Sequence, residues 1–216
     1  MFVCNRMTAD PVTITSVTTI ADAVEIMRSH KFRRLPVVDG GKLVGIVTDR
    51  DLRTVSPSQA TSLSVHELNY LLAKLHVKEI MQRDVVTIAP DAAIEEAALL
   101  MYNHKIGGLV VSDASGGAVG VITETDLFKT FVDMMGLTEG KTRLTIDLAD
   151  DRVGALHEIT AVFAALGLNI SSMVTCPLPD GRKELIIRID ESEIEELKER
   201  LAAKGYPVIH AVEIRA

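Results

Sequence analysis

The sequence predicts a mixed fold: an α/β region built by duplication, followed by an α+β region of βαββαβ order. Three observations carry that prediction. The phrase GIVTDRD at residues 45–51 returns as GVITETD at 120–126. Around it, residue n matches residue n + 74 through most of a unit of roughly fifty residues. Past residue 137 the repeat ceases, and strand and helix periodicities alternate in a new order.

Within the repeat, MTADPVTI (7–14) lies over MQRDVVTI (81–88), IADAVEIM (20–27) over IEEAALLM (94–101), and SHKF (29–32) over NHKI (103–106). LPVVD (35–39) then meets LVVSD (109–113), and the register slips by one where DGGK (39–42) becomes DASGGA (113–118). Each unit opens with a short β-branched strand, Val12–Ile14 or Val85–Ile88. A helix follows, with Ile20, Ala23, Val24 and Met27 on one face, matched by Ile94, Ala97, Ala98 and Met101. A second strand (Leu35–Val38; Leu109–Ser112) leads through an Asp/Gly hairpin turn to a third (Leu43–Thr48; Val119–Thr123). A further helix starts near Asp49 or Glu124. One unit has too little apolar surface to close alone, so the two are expected to pack face to face. Residues 53–77 interrupt the repeat. SPSQATS (56–62) reads as a loop, and SVHELNYLLAKL (64–75) as a tethering helix with Leu68, Leu71, Leu72 and Leu75 on one side.

The C-terminal order is read from period and punctuation. TRLTIDL (142–148) alternates as a strand, and DDRVGAL (150–156) turns into a helix with Leu156, Ile159, Phe163 and Leu166 on one side. NISSMVT (169–175) and ELIIRID (184–190) are strands around the turn PLPDGR (177–182). SEIEELKERLAAKG (192–205) is a helix burying Ile194, Leu197 and Leu201 and ended by Gly205, and PVIHAVEI (207–214) is the last strand. The expected result is a four-stranded antiparallel sheet with two helices on one face. TEGK (138–141) reads as a linker. The boundaries expected are 1–54 and 78–135 for the repeated motifs, 55–77 for the insertion and 141–216 for the last domain.

Composition narrows the function. The chain has 216 residues, 47% hydrophobic and 25% charged, with no Trp, so its core rests on aliphatic side chains. Its net charge is −7, with 13 basic against 16 acidic residues in 1–136 and 10 against 14 beyond. Nucleic acid is therefore not an expected partner, because phosphate neutralisation supplies most of that affinity. No apolar run is long enough for a membrane span, and the start MFVCNRMTADP lacks the pattern of a secretory signal. Cys4 and Cys176 fit no disulfide or metal framework, which points to a cytoplasmic protein with reduced thiols.

The repeated phrase has two physical readings. Thr48 and Thr123 end a strand, and Asp51 and Asp126 follow three residues later, in the first turn of a helix. Hydroxyl and carboxylate there can simply cap the helix. The same groups can also hold a nucleotide: N–H groups and hydroxyl on phosphate, carboxylate on ribose, with the glycine of the phrase letting a ligand approach the backbone. Doubling of the whole unit favours the second reading.

On MTADPVTI, LPVVDGGKLVGIVTDRDL and their second copies, residues 1–135 resemble a tandem pair of CBS motifs, a Bateman module. Such modules bind adenosine compounds, namely AMP, ADP, ATP or S-adenosylmethionine, in a central cleft. The resemblance implies that Asp51 and Asp126 hold ribose, that Thr48 and Thr123 assist, and that Thr13 and Thr87 lie by the adenine, with Pro36 alongside. Lys31, Arg33, Arg34 and Arg50 surround the first phrase, where the second has Lys105, Gly107, Gly108 and Thr125. A phosphorylated adenosine is therefore expected at the Asp51 site, and a weaker or less charged ligand at the Asp126 site. A solvated edge paired with carboxylates is the competing reading of Arg33 and Arg34. DRVGALHEI (151–159) and Asn169–Ile170 resemble a ferredoxin-like ACT domain, with Val153 in place of the usual proline. That implies an amino-acid site at Gly154, Asn169 and Ile170, or a dimerising sheet with no ligand. The combination, with SLSVHELNYLLAKL (62–75), is similar to the bacterial acetoin-utilisation B-type proteins.

No motif of catalysis is evident. His30, His66, His76, His104, His157 and His210 show no metal-ligand spacing, and there is no G-x-S-x-G or P-loop. The expectation is a non-catalytic, homodimeric ligand sensor acting on an unidentified regulated protein. The alternative is a structural dimerisation scaffold with vestigial pockets.

Overall fold

Each half of the duplicated region closes its core with a piece of the other half. The structure, a computed structural model, describes residues 1–55, 74–137, 142–148 and 152–213. In chain order the first half runs β1 (Thr8–Ala9), α1 (Ile20–His30), β2 (Arg34–Asp39), β3 (Lys42–Thr48) and α2 (Asp49–Val55). The second runs β4 (Thr87–Ile88), α3 (Ile94–His104), β5 (Gly108–Ser112), β6 (Ala118–Thr123) and α4 (Glu124–Met134). The 56–62 loop, the 138–141 linker, Asp150, Asp151 and the expected 64–75 helix up to residue 73 lie outside the described residues.

β1 does not join the sheet of its own half. It pairs antiparallel with β6, Thr8 opposite Val121 and Ala9 opposite Gly120. In return Gln82, the residue matched to Thr8, exchanges both backbone hydrogen bonds with Ile46 of β3 at 2.9 Å. The turns just before these arms follow the same rule. Val3 is fully buried in the second core with Ile88, Leu109 and Ile122, and Val77 in the first with Ile20, Leu35 and Val47. This exchange explains the repeated glycine. A Cβ on Gly120 would stand 2.4 Å from Met7 Sδ, and one on Gly45 2.7 Å from Met81 Sδ. The space that sequence reasoning reserved for a ligand is filled by the methionine of the incoming arm.

Other details differ from expectation for local reasons. The predicted strand Val12–Ile14 shrinks to a single parallel bridge between Ile14 and Val37. Asp10, at φ 47°, and Pro11, which lacks an N–H, interrupt the extended path before it. Its counterpart shrinks to β4, parallel to β5. On the helices, Ile20, Ala23 and Met27 are buried, as are Ile94, Ala97 and Met101, whereas Val24 and Ala98 face outward. The Thr19 hydroxyl caps α1, accepting from Asp22 N at 3.1 Å. Gly40 and Gly41, at φ 57° and 79°, form the two-residue turn of the β2–β3 hairpin. Leu43 N donates to Gly116 O at 2.9 Å, tying that hairpin to the β5–β6 turn.

The C-terminal region comprises β7 (Thr142–Leu148), α5 (Ala155–Ala165), β8 (Ile170–Pro177), β9 (Lys183–Ile189), α6 (Glu195–Ala203) and β10 (Val208–Glu213). The strands form one antiparallel sheet in the order β10-β7-β9-β8, the βαββαβ arrangement expected. Leu144, Ile146, Leu185 and Ile187 pack on Ile159, Phe163, Leu197 and Leu201 of the helices. The α5 stripe is Ala155, Ile159, Val162 and Phe163, so Leu156, expected inside, is 41% exposed. Glu158 Oε2 accepts from Tyr206 Oη at 2.9 Å and from Arg152 Nη2 at 2.7 Å, tying α5 to the chain before β10. Backbone contacts divide the chain into compact units at Met1–Leu127 and Phe128–Ala216. Among the described residues, no helix is long and apolar enough to cross a membrane.

Two outcomes are expected. Gly120→Ala lowers stability by about 1–3 kcal/mol through overpacking, and Met7→Ala relieves part of that loss. In chemical denaturation, additive effects of the two substitutions would refute the contact. The bonds from Tyr206 and then Arg152 hold the Glu158 carboxyl below its ordinary value of 4.5. Its stabilisation is thus present above that value and lost as pH falls through the lower folded one. Denaturation curves of Glu158→Gln should accordingly fall below wild type at pH 7 and converge with it in acid.

Candidate functional site

The exchanged arms decide which residues meet at each repeated phrase. At the first, Thr48 N and Oγ1 donate to Asp51 Oδ2 at 2.8 and 2.7 Å. At the second, Thr123 N and Oγ1 donate to Asp126 Oδ2 at the same two distances. One oxygen of each carboxylate therefore caps its own strand–helix junction, as the simpler sequence reading requires. The second oxygen of Asp51 accepts from Gln82 Nε2 at 3.3 Å, a side chain of the incoming arm. At the other phrase the matching arm residue is the shorter Thr8, which lines a cavity instead.

That cavity has a volume of about 410 Å³, inside the ~300–1,000 Å³ range of small-molecule sites. The arm supplies Thr8, Asp10, Pro11 and Val12; the first half supplies Lys31, Phe32, Arg33, Arg34 and Pro36. The second half contributes Gly107, Val121, Thr123, Glu124 and Thr125. The walls thus combine apolar surface from Val12, Phe32, Pro36 and Val121 with three cations, two carboxylates and three hydroxyls.

Arg34 gives the cavity its asymmetry. Its side chain leaves β2 and lies on Gly107 and Gly108, the residues matched to Arg33 and Arg34 in the second copy. A Cβ on Gly108 would fall 1.6 Å from Arg34 Nη1, and one on Gly107 3.2 Å from Nη2 and 3.1 Å from Glu124 Oε2. The missing side chains of one repeat make room for the long side chain of Arg34 from the other. Burial pulls the Arg34 proton affinity below its ordinary value; Glu124 opposes this, Arg33 adds to it, and Asp49 and Asp126 also oppose it. A guanidinium keeps its charge under such a shift, so Arg34 is a fixed cation facing the second phrase.

The sequence expectation is corrected here. Lys31, Arg33 and Arg34 were expected around Asp51, and they line the cavity of the other phrase with Thr123. Thr48, Arg50, Asp51 and Asp126 do not line it, and Arg50 is exposed on α2. The reason is the exchange of arms together with the reach of Arg34 across the paired halves. Of the two threonines expected beside an adenine, Thr13 is exposed next to the lining residue Val12. Thr87 borders a separate, more open depression of about 520 Å³ with Asp91 and Asp113. Thr8, Asp10 and Phe32 were not picked out from sequence, and Glu124 and Thr125 entered there only as a helix start and as the uncharged counterpart of Arg50. The n + 74 register paired Thr8 with Gln82, but only the pairing of β1 with β6 places Thr8 beside Thr123.

In the C-terminal region Gly154 sits at φ 93° at the N-cap of α5, a left-handed position that favours glycine. No described atom lies within 4 Å of the place a Cβ would take there. Asn169 is exposed, Ile170 packs against the core of the sheet, and neither borders the two cavities above. Among the described residues, no cluster of His, Cys, Asp and Glu could hold a metal ion.

Comparison with known proteins adds the family. The CBS domain profile matches residues 3–58 and 77–133, together more than half of the chain, and the ACT domain profile matches 142–205. A CBS domain-containing protein of Dictyostelium discoideum is 36% identical over 124 residues, covering 57% of this chain and 86% of that protein. The inosine-5'-monophosphate dehydrogenase of Korarchaeum cryptofilum is 34% identical over 119 residues, 55% of this chain but 22% of the enzyme. Among solved structures, a Vibrio cholerae protein described as the acetoin utilization protein AcuB superposes with a TM-score of 0.53 at 34% identity, covering 64% of this chain and 96% of its own. The CBS domain pair of protein MJ0100, in complex with 5'-methylthioadenosine and S-adenosyl-L-methionine, has a TM-score of 0.51 at 30% identity, covering 61% and 99%. CBSX2 of Arabidopsis thaliana in complex with AMP gives 0.51 at 27%, covering 61% and 96%. With its two motifs matched in sequence and in fold, the chain belongs to the CBS domain family, as a tandem CBS pair followed by an ACT domain.

Proposed function

We propose that the chain is a non-catalytic regulatory sensor of adenosine nucleotides, with the phosphate-bearing ones, AMP first, bound in the cavity beside Thr123 and Asp126. The observation that carries this reading is the meeting of Lys31, Arg33 and Arg34 with Thr123, Glu124 and Thr125 around one cavity of nucleotide size. Cationic donors suit phosphate oxygens, while the sulfonium of S-adenosylmethionine gains nothing from them. The complexes of related CBS pairs with AMP and with S-adenosyl-L-methionine and 5'-methylthioadenosine support an adenosine ligand. At Asp51 the occupation of the carboxylate by Gln82 favours a weaker site.

The finer assignments belong to the same proposal. The open backbone at Gly154 supports an amino-acid site there with Asn169 and Ile170, at an interface between two ACT domains of a homodimer. The likeness to the Vibrio cholerae protein supports a role in acetoin utilisation. A nucleotide that binds one packing of the paired halves more tightly than another would shift that equilibrium, and a regulated protein would read the shift. The scaffold reading keeps the fold and expects no ligand response.

Calorimetric titration separates them. AMP should bind with one tight site per chain, and Arg34→Ala should weaken it by about 10–100-fold, the loss of one or two charge-assisted bonds. The same change should leave 5'-methylthioadenosine nearly unaffected, since it has no phosphate. Absence of heat with AMP, ADP and ATP alike would favour the scaffold. Gly108→Ala should displace the Arg34 side chain and reproduce its loss, and the double variant should be no weaker than either single one. Additive losses would instead show that Arg34 and Gly108 act independently.

A further inference from the structure

The face of the ACT sheet turned away from α5 and α6 holds two arginines side by side. Pairing of β7 with β9 sets Arg143 directly opposite Arg188, and pairing of β8 with β9 sets Ser172 opposite Arg188 on its other flank. Leu144, Ile146, Ile187 and Ile189 fill the core under the helices, so the strand period of two puts Arg143, Thr145 and Arg188 on the opposite face. Arg188 is 2% exposed. Its Nε and Nη1 are buried with no hydrogen-bond partner among the described residues. Burial, and after it the charge of Arg143, lowers its proton affinity, and no described carboxylate acts against them.

Neighbouring groups shape the place. Arg143 Nη1 donates to Thr145 Oγ1 at 2.7 Å, which orients the first guanidinium. The turn at Met135–Gly136 lies against Arg188: a Cβ on Gly136 would be 3.4 Å from Arg188 Cδ and 3.0 Å from Ser172 Oγ. Ser172 Oγ donates to Met135 O at 2.9 Å, tethering that turn. Like charges directly opposite on a sheet repel. A buried guanidinium with unmet donors is strongly unfavourable, so its retention calls for a compensating group. Guanidinium forks match the oxygens of carboxylate and phosphate.

We propose that Arg143 and Arg188 form an oxyanion site beside Thr145 and Ser172, receiving the carboxylate or phosphate group of a small ligand under the Met135–Gly136 turn. The site lies in the second compact unit, on a different sheet from the nucleotide cavity, and does not depend on that cavity's ligand. It is also distinct from the amino-acid site proposed at Gly154, which stands at the N-terminus of α5.

The test uses the full chain carrying Arg34→Ala, so that the nucleotide cavity contributes little. Inorganic phosphate and acetate are titrated separately at constant ionic strength, with chloride as reference, and melting temperature and binding heat are followed. One of the two anions should raise the melting temperature saturably, with one site per chain. Adding Arg188→Met should weaken that response at least tenfold. In chloride alone this variant should melt no lower than its parent, because an unpaired buried charge has been removed; a purely structural arginine predicts a lower melting temperature. Arg143→Met should weaken the response as well and is the readout if Arg188→Met does not fold. No saturable response to either anion would overturn the proposal, as would a response undiminished in both variants. A melting temperature that rises with protein concentration and ignores anions would also overturn it, in favour of a second copy of the chain covering the arginines.

Discussion

The reciprocal exchange of short arms between the two CBS motifs is the constraint on which the rest of the N-terminal region depends. Met7 against Gly120 and Met81 against Gly45 fix how closely each arm lies on the opposite third strand. Val3 and Val77 then complete cores that would otherwise lack a wall. Because the arms cross, Thr8 to Val12 are delivered beside Thr123, and a cavity forms from both copies. Neither motif owns its site.

Symmetry of fold does not bring symmetry of chemistry. The two threonine–aspartate junctions share the same pair of hydrogen bonds at the same lengths. What differs is what stands opposite: Gln82 at one, Thr8 at the other, and Arg34 lying on a glycine pair across the middle. Electrostatics therefore concentrates on one side of a duplicated structure. The ACT domain places its charge by a different rule, the alternation of side chains along β7 and β9, which turns Arg143 and Arg188 away from the helices.

Much of this was legible in the chain itself. Duplication, element order and the βαββαβ sheet followed from repeat register and periodicity, because a buried helix face or half-buried strand leaves its period in the sequence. The threonine–aspartate junctions were found at the right positions. What the sequence did not show is where Arg34 reaches: its backbone lies opposite Thr48, as nearness to the first phrase requires, but its side chain extends to Gly107 and Gly108 of the other copy. Gly45 was misread for the same reason, since the methionine that needs its space comes from another part of the chain. Leu156 and Val24 failed more simply. Val24 lies at the edge of a correctly placed stripe, while on α5 the buried face turns toward Ala155 and Val162 and leaves Leu156 outside.

The crossing of the arms also sets an order of assembly during synthesis. On a ribosome, the first motif can fold its helix and hairpin early, yet the wall provided by Val77 and Gln82 is still inside the exit tunnel. The opening residues wait longer still, since the strand that receives Thr8 and Ala9 is made more than a hundred residues later. A nascent chain of this protein thus leaves Met7 and Val3 without their partners until β6 has been made. It reaches closure only as the last strand of the second motif emerges.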